Sequence, residues 1–180
     1  MLCAATTATA QEAEVVTGVP FVQDNGVLSI NGRQIGLWGV DLLAPDQQCW
    51  QGDASWCCGE NAMTALKHYI ENKTVECHIK QSAVDESPAL AQCFRFKGAQ
   101  PQDIAEHLIM KGWAIEKADI SGGQYFAAEN KAQTGKYGIW TSRFQTAQDW
   151  KDGVQRFVGE EAEDAAALLT QTATAAAEQE

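Results

Sequence analysis

The chain has 180 residues, of which 45% are hydrophobic and 21% are charged, a composition typical of a globular protein with one substantial core. Asp and Glu outnumber Lys and Arg by 24 to 13, and the net charge of −11 argues against nucleic acid as a tightly held partner, because proteins that grip phosphates are usually basic. No run of apolar residues is long enough for a membrane span.

The cysteines and the N-terminal residues both indicate an oxidising compartment. Five of the six cysteines lie between residues 49 and 93, and such clustering is typical of local disulfides. Residues 1–15 contain the string MLCAATTATA, which ends in a small-x-small pattern like that of a signal-peptidase site. We interpret this segment as the remnant of a signal peptide or as a disordered end, and we expect a periplasmic or secreted protein.

The first part of the body is predicted to be a β-meander. Apolar residues alternate over residues 19–41, and turn signals at residues 24–26 and 31–32 divide the strands. Residues 42–57 are predicted to form a loop. Trp50 and Trp56 lie in that loop, where a tryptophan either covers the edge of a core or stacks on a sugar or a base.

The second part is predicted to mix helices and strands. The expected order is helix 59–72, strands 73–80 and 89–96, helix 103–111, an extended piece at 113–115 and helix 124–134. His68 and His107 fall at predicted surface positions of two of these helices. Residues 146–180 are acidic and Ala-rich, and we expect a tail that is largely disordered or partly helical.

Several short strings occur along the body in a recognisable order and spacing. They are GRQIGLWGVD at 32–41, APD at 44–46, CGENA at 58–62, VEC at 75–77, AQC at 91–93, HLIMKGWA at 107–114 and GIW at 138–140. Together they resemble the staphylococcal-nuclease-like, or thermonuclease, family. The resemblance implies an α+β domain over residues 16–145, built as a five-stranded OB-fold β-barrel with three helices.

The resemblance also implies a calcium site, and this chain departs from it. The family holds one Ca²⁺ with two carboxylates and cleaves nucleic acid phosphodiesters. The family's first carboxylate belongs to an Asp-Gly-Asp-Thr string, which reads Asp24-Asn25-Gly26-Val27 here. The carboxylate position is therefore Gly26, and Asp24 is kept only at the first position of the string. The second carboxylate is kept as Asp41. Asp24 and Asp41 are therefore residual candidates for a cation site, beside the alternative that they are water-facing acids, and we expect no cofactor, with Ca²⁺ as the alternative.

The phosphate-binding positions are lost as well. The family places two arginines on the phosphate and a glutamate on the attacking water. The arginine positions are Gly36 and Pro88 here, and the glutamate is replaced by the shorter Asp46 after two additional residues. Arg33 and Arg95 lie at odd offsets from those positions, which places them on the opposite strand face. We therefore expect no catalytic residues.

The cysteine positions resemble those of the secreted bacterial branch of the family. That likeness implies the disulfides Cys49–Cys58 and Cys77–Cys93, with Cys57 left free. A zinc site is disfavoured because the sequence contains no CxxC pair.

Three functions follow from these observations. Some relatives of this secreted type are accessory proteins of succinoglycan-type exopolysaccharide synthesis, and a non-catalytic role of that kind is the first hypothesis. The second is a Ca²⁺-dependent secreted nuclease with a rearranged site, and the third is an envelope module that binds another protein. We expect an unknown protein or a polysaccharide-pathway partner, with nucleic acid disfavoured and no membrane span.

Overall fold

The computed structural model describes residues 14–158, which form eleven strands, five α-helices and one 3-10 helix. The strands are β1 (Val15–Gly18), β2 (Phe21–Val22), β3 (Leu28–Ile30), β4 (Arg33–Leu37), β5 (Val40–Leu42), β6 (Cys49–Gln51), β7 (Ala54–Trp56), β8 (Val75–Gln81), β9 (Ala89–Lys97), β10 (Gln100–Asp103) and β11 (Ala114–Glu116). The helices are α1 (Cys58–Ile70), α2 (Ile104–Met110), α3 (Ala118–Ser121), α4 (Phe126–Gly135), the 3-10 helix (Gly138–Thr141) and α5 (Ala147–Asp152). Residues 1–13 of the predicted N-terminal segment 1–15 and residues 159–180 of the predicted tail 146–180 lie outside the described residues.

A seven-stranded sheet organises the molecule. Its order is β1-β8-β9-β4-β3-β2, with β10 also paired to β9, and the pairing of β4 with β9 is the parallel one. Two small sheets, β5–β11 and β6–β7, stand beside it. The structure therefore has more strands and helices than the predicted five and three. Among residues 14–158, the edge strands β1 and β2 do not pair with each other, so the large sheet is not a closed barrel. The structure shows a mixed α+β fold.

The additional elements have local causes. α3 has only four residues, which is too short for an apolar period to be visible. α5 begins after Thr146, whose side chain accepts a hydrogen bond from the N–H of Asp149, so a cap starts a helix where composition alone indicated a tail. The predicted helix at 59–72 is confirmed by α1, whose buried face includes Leu66 and Ile70.

The predicted loop at 42–57 contains a hairpin. β6 and β7 pair antiparallel around Gly52, and the hairpin is tied to the start of α1 by the Cys49–Cys58 disulfide. The second disulfide, Cys77–Cys93, joins two residues that lie directly opposite each other in β8 and β9. These are the two pairings that the resemblance implied, and Cys57 is an exposed free thiol.

The apolar residues divide into two neighbouring clusters. The larger lies between the seven-stranded sheet and helices α1 and α2, and the smaller lies under the β6–β7 hairpin, where Leu43, Ile139 and Phe144 are buried. The smaller cluster contains residues from before the hairpin, such as Leu43, and from after α4, such as Phe144. It therefore holds the segment after α4 against the hairpin. Within residues 14–158, no helix is both long and apolar enough to cross a membrane.

Candidate functional site

The two positions at which the resemblance implies phosphate-binding arginines are neighbours in space. Gly36 pairs with Leu90 in the parallel β4–β9 ladder. A Cβ atom on Gly36 would lie 3.7 Å from Cγ of Pro88 and 2.9 Å from Cδ2 of Leu90. Pro88 and Leu90 also line a surface groove of about 550 Å³ with Val84, whose exposed fraction is 67%. The structure thus brings the two positions together on an apolar surface, where neither residue offers a positive charge to a phosphate.

The first carboxylate position of the implied calcium site is enclosed by apolar atoms. Gly26 is buried, and a Cβ atom there would lie 2.8 Å from Cδ1 of Leu42 and 3.4 Å from Sδ of Met63. Leu42 is one of the two additional residues that precede Asp46. Asp24 points into solvent with 98% of its side chain exposed and pairs with Lys67 at 3.3 Å. The direction in which a metal-binding carboxylate would extend is therefore filled by hydrocarbon.

The two retained acids, Asp41 and Asp46, both bind α5. Oδ2 of Asp41 accepts a 2.9 Å hydrogen bond from the N–H of Ala147, and Oδ1 of Asp46 accepts a 3.3 Å bond from Nε1 of Trp150. Burial raises the pKa of Asp41, and the Ala147 bond opposes that rise, as does the positive charge of Lys117. These carboxylates hold α5 against the body of the domain.

The other charged groups near the implied positions make contacts of their own. Ca²⁺ takes about six to eight oxygen ligands, and among residues 14–158 no group of three His, Cys, Asp or Glu side chains could hold a metal ion. Arg33 is paired with Glu14, and Arg95 donates to the carbonyl of Tyr69 at 2.7 Å and to Oε1 of Gln102 at 3.2 Å. Both arginines that lie near the lost positions in sequence are engaged elsewhere.

Comparison with known proteins gives one informative similarity. No protein-family model matches the chain. The chain is 26% identical over 134 residues to succinoglycan biosynthesis protein ExoI of Rhizobium meliloti (strain 1021), and the match covers 73% of this chain and 68% of that protein. This similarity supports a link to exopolysaccharide synthesis.

The two disulfides of the structure are compatible with a periplasmic or secreted location.

The two tryptophans of the predicted loop have different environments. Nε1 of Trp56 donates to Oγ of Ser142 at 2.9 Å, and its ring packs against Trp113, so Trp56 covers the edge of the smaller apolar cluster. Trp50 lies beside a surface cleft and contacts Trp150 and Phe157. Sequence reasoning missed that residues 141–158 complete this surface. The Thr146 cap is the local signal that reveals a helix there.

His107 is not at the surface position predicted for it. It is half-buried, and its ring stacks on Tyr69 of α1 with the centroids 3.6 Å apart and the planes within 5°. The guanidinium of Arg95 lies 4.1 Å from the centre of the same tyrosine ring. The helix periodicity did not reveal this burial because the ring that covers His107, Tyr69, belongs to a different helix, α1. His68 is exposed, as predicted.

The partial burial of His107 predicts that the free energy of unfolding depends on pH. Burial, followed by the charges of Lys111 and Arg95, lowers the pKa of His107 from 6.5 to about 4. The unfolded chain therefore binds a proton at higher pH than the folded chain does, so the free energy of unfolding falls as the pH drops from 6.5 towards 4. We expect His107→Phe, which keeps a stacking ring, to reduce the change in the free energy of unfolding between pH 6.5 and about 4, as measured by urea titration at each pH. His68→Phe is the matched control, and an equal reduction in both variants would contradict the assignment.

The hydrogen bond between Asp41 and α5 predicts a local role for this carboxylate. We expect Asp41→Ala to lower the free energy of unfolding by about 1 kcal/mol, as for other lost helix N-terminal contacts. Limited proteolysis should then cut within residues 142–158 more rapidly. Asp24→Ala, which removes an exposed ion pair, is expected to leave both measurements nearly unchanged. Unaltered proteolysis of Asp41→Ala would show that the helix is held by other contacts.

Proposed function

We propose that this chain is an exported, non-catalytic protein of staphylococcal-nuclease-like fold that serves as an accessory factor in succinoglycan-type exopolysaccharide synthesis. The assignment to this pathway rests on the 26% identity to the succinoglycan biosynthesis protein over 134 residues. The two disulfides support export, because such bonds persist in oxidising compartments.

The staphylococcal-nuclease-like part of the proposal is supported by one spatial relation. Two side chains that contact one phosphate must converge on one place, and Gly36 and Pro88 are neighbours in space although 52 positions separate them in the sequence. The disulfide positions and the order of the main elements agree with the same family.

The absence of catalysis is supported by what occupies each implied position. Side-chain atoms of Leu42 and Met63 lie against the position of the first carboxylate, and Leu90 and Pro88 lie against Gly36. The groove at Pro88 has no Lys or Arg among its lining residues. The two acids that remain accept hydrogen bonds from α5. A site that lacks preorganised charge loses the largest single contribution to phosphodiester cleavage.

The experiment that tests this function is deletion of the gene in the source organism. We expect the deletion strain to secrete a smaller amount of succinoglycan-type exopolysaccharide, measured as total hexose and carboxylate content of the polymer precipitated from the culture supernatant. A plasmid copy of the wild-type gene should restore the polymer. A copy that lacks residues 2–13, which leaves β1 intact, should fail to do so because its product would not be exported. Unchanged polymer yield and composition in the deletion strain would refute the proposed function.

A further inference from the structure

The cleft beside Trp50 lies away from the degenerate nuclease positions. It has a volume of about 520 Å³ and lies between the β6–β7 hairpin and the segment that follows α4. Its lining includes Trp50, Lys136, Trp140, Arg143 and Val158. None of the positions implied by the nuclease resemblance lines this cleft, so other residues decide what occupies it.

The segment that reaches Val158 forms one wall of the cleft. The N–H of Val158 donates a 2.8 Å hydrogen bond to the carbonyl of Phe144, and its side chain packs against the smaller apolar cluster. The ring of Phe157 lies edge-on to that of Trp50, with the centroids 5.5 Å apart. The chain that follows Val158 therefore starts from the wall of the cleft.

The residues that follow Val158 are strongly acidic. Four of the next six residues are acids, namely Glu160, Glu161, Glu163 and Asp164. Six residues span at most about 20 Å when they are fully extended. A short tether of this kind holds its groups near the attachment point at an effective concentration in about the millimolar range. The four carboxylates are therefore kept close to the cleft.

The charge of the lining is opposite to that of these residues. Lys136 and Arg143 are its charged members, and no Asp or Glu of the described part of the chain lines the cleft. Arg143 already has partners, among them the ring of Phe157 at 4.8 Å from its guanidinium. Lys136, exposed at the C-terminal end of α4, supplies the complementary charge. A single exposed ion pair contributes little to stability, but a tethered cluster of carboxylates loses less entropy when it pairs.

We propose that residues 159–164 dock on this cleft with their carboxylates beside Lys136, so that an acidic segment of the chain itself occupies the surface between the hairpin and α4. An external ligand then binds there only by displacing residues 159–164. The contact forms within one chain, so it is independent of the pathway role.

The test is cross-linking of the full, oxidised chain with a carbodiimide, which joins a lysine amine directly to a carboxylate in contact with it. Trypsin leaves residues 157–180 in one peptide, because they contain no Lys or Arg. We expect residues 160–164 of that peptide to be joined to the peptide 132–143, in which Lys136 is uncleaved. Lys131 is also exposed on α4 but does not line the cleft, so it should form about tenfold fewer links to the same residues.

A second measurement is the rate at which Lys136 is acetylated by a small reagent. The docked segment is removed as a charge partner by a variant that combines Glu160→Gln, Glu161→Gln, Glu163→Gln and Asp164→Asn. We expect acetylation of Lys136 to be about twofold to fivefold faster in this variant, as for the loss of an exposed ion pair. The rate at Lys131 should not change. Glu178→Gln with Glu180→Gln is the matched control, since it neutralises acids distant from Val158 in the sequence.

Several results would overturn the inference. They are the absence of a link between Lys136 and residues 160–164, equal link yields at Lys131 and Lys136, a yield at Lys136 that is unchanged when urea unfolds the chain, and links that occur only between two copies of the chain. An acetylation rate at Lys136 that is the same in the wild type and the fourfold variant would overturn it as well. Deletion of the gene tests the pathway role separately, so either conclusion can fail without the other.

Discussion

Purified, oxidised protein in millimolar Ca²⁺ at alkaline pH is expected to cleave neither single-stranded DNA nor RNA above a buffer control. Each preorganised charge donor removed from such a site typically costs about 10²–10³ in rate, and the family resemblance implies that Gly36 and Pro88 stand where two of them would be. The same resemblance implies that Gly26 stands at the position of a metal-binding carboxylate. The net charge of −11 also repels a polyanion at low salt. We likewise expect no rise in thermal stability on addition of Ca²⁺.

An active staphylococcal-nuclease-like enzyme, assayed in parallel, provides the positive control. Cleavage that survives repurification and disappears in Asp41→Ala would show that the chain is a nuclease with a rearranged site. The structure also limits attempts to rebuild the site. A side chain at Gly26 would meet Leu42 at 2.8 Å, and one at Gly36 would meet Leu90 at 2.9 Å. We expect Gly26→Asp with Gly36→Arg to reduce stability even when Leu42 and Leu90 are shortened, because Gly26 has a φ of +80°, which costs a residue with a side chain additional strain.

Removal of the Cys77–Cys93 disulfide is expected to have the largest effect on stability. Closing a loop of 16 residues is worth about 3 kcal/mol by the chain-entropy estimate. Both cysteines are fully buried in the larger apolar cluster, so Cys77→Ala with Cys93→Ala also removes packed sulfur atoms. We therefore expect the free energy of unfolding in urea to fall by about 3 kcal/mol or more.

Cys57→Ser is the matched control, since Cys57 is exposed and unpaired. It should change the free energy of unfolding by no more than about 0.5 kcal/mol. Non-reducing peptide mapping of protein made in an oxidising compartment should recover Cys77 linked to Cys93. Recovery of those two residues as free thiols, or a double variant as stable as Cys57→Ser, would contradict the expected role of the bond.

Local sequence signals account for most of the main elements. The helical period that begins near residue 59 is realised as α1, and the alternating strings around Cys77 and Cys93 are realised as β8 and β9. These signals are reliable because hydrophobic periodicity and turn residues report the geometry of neighbouring residues. The cysteine pairing followed from the family resemblance, since connectivity cannot be deduced from cysteine spacing alone.

The sequence by itself determined which residues are missing from the implied nuclease site, because Gly26, Gly36 and Pro88 lack the required groups wherever the chain places them. Only the tertiary structure decided what the retained acids do. Asp41 and Asp46 bind residues that are 106 and 104 positions away in the chain. The cleft likewise joins Trp50 to residues near 140. Contacts of this range depend on how two clusters of buried side chains pack, and a local pattern of residues carries no record of that packing.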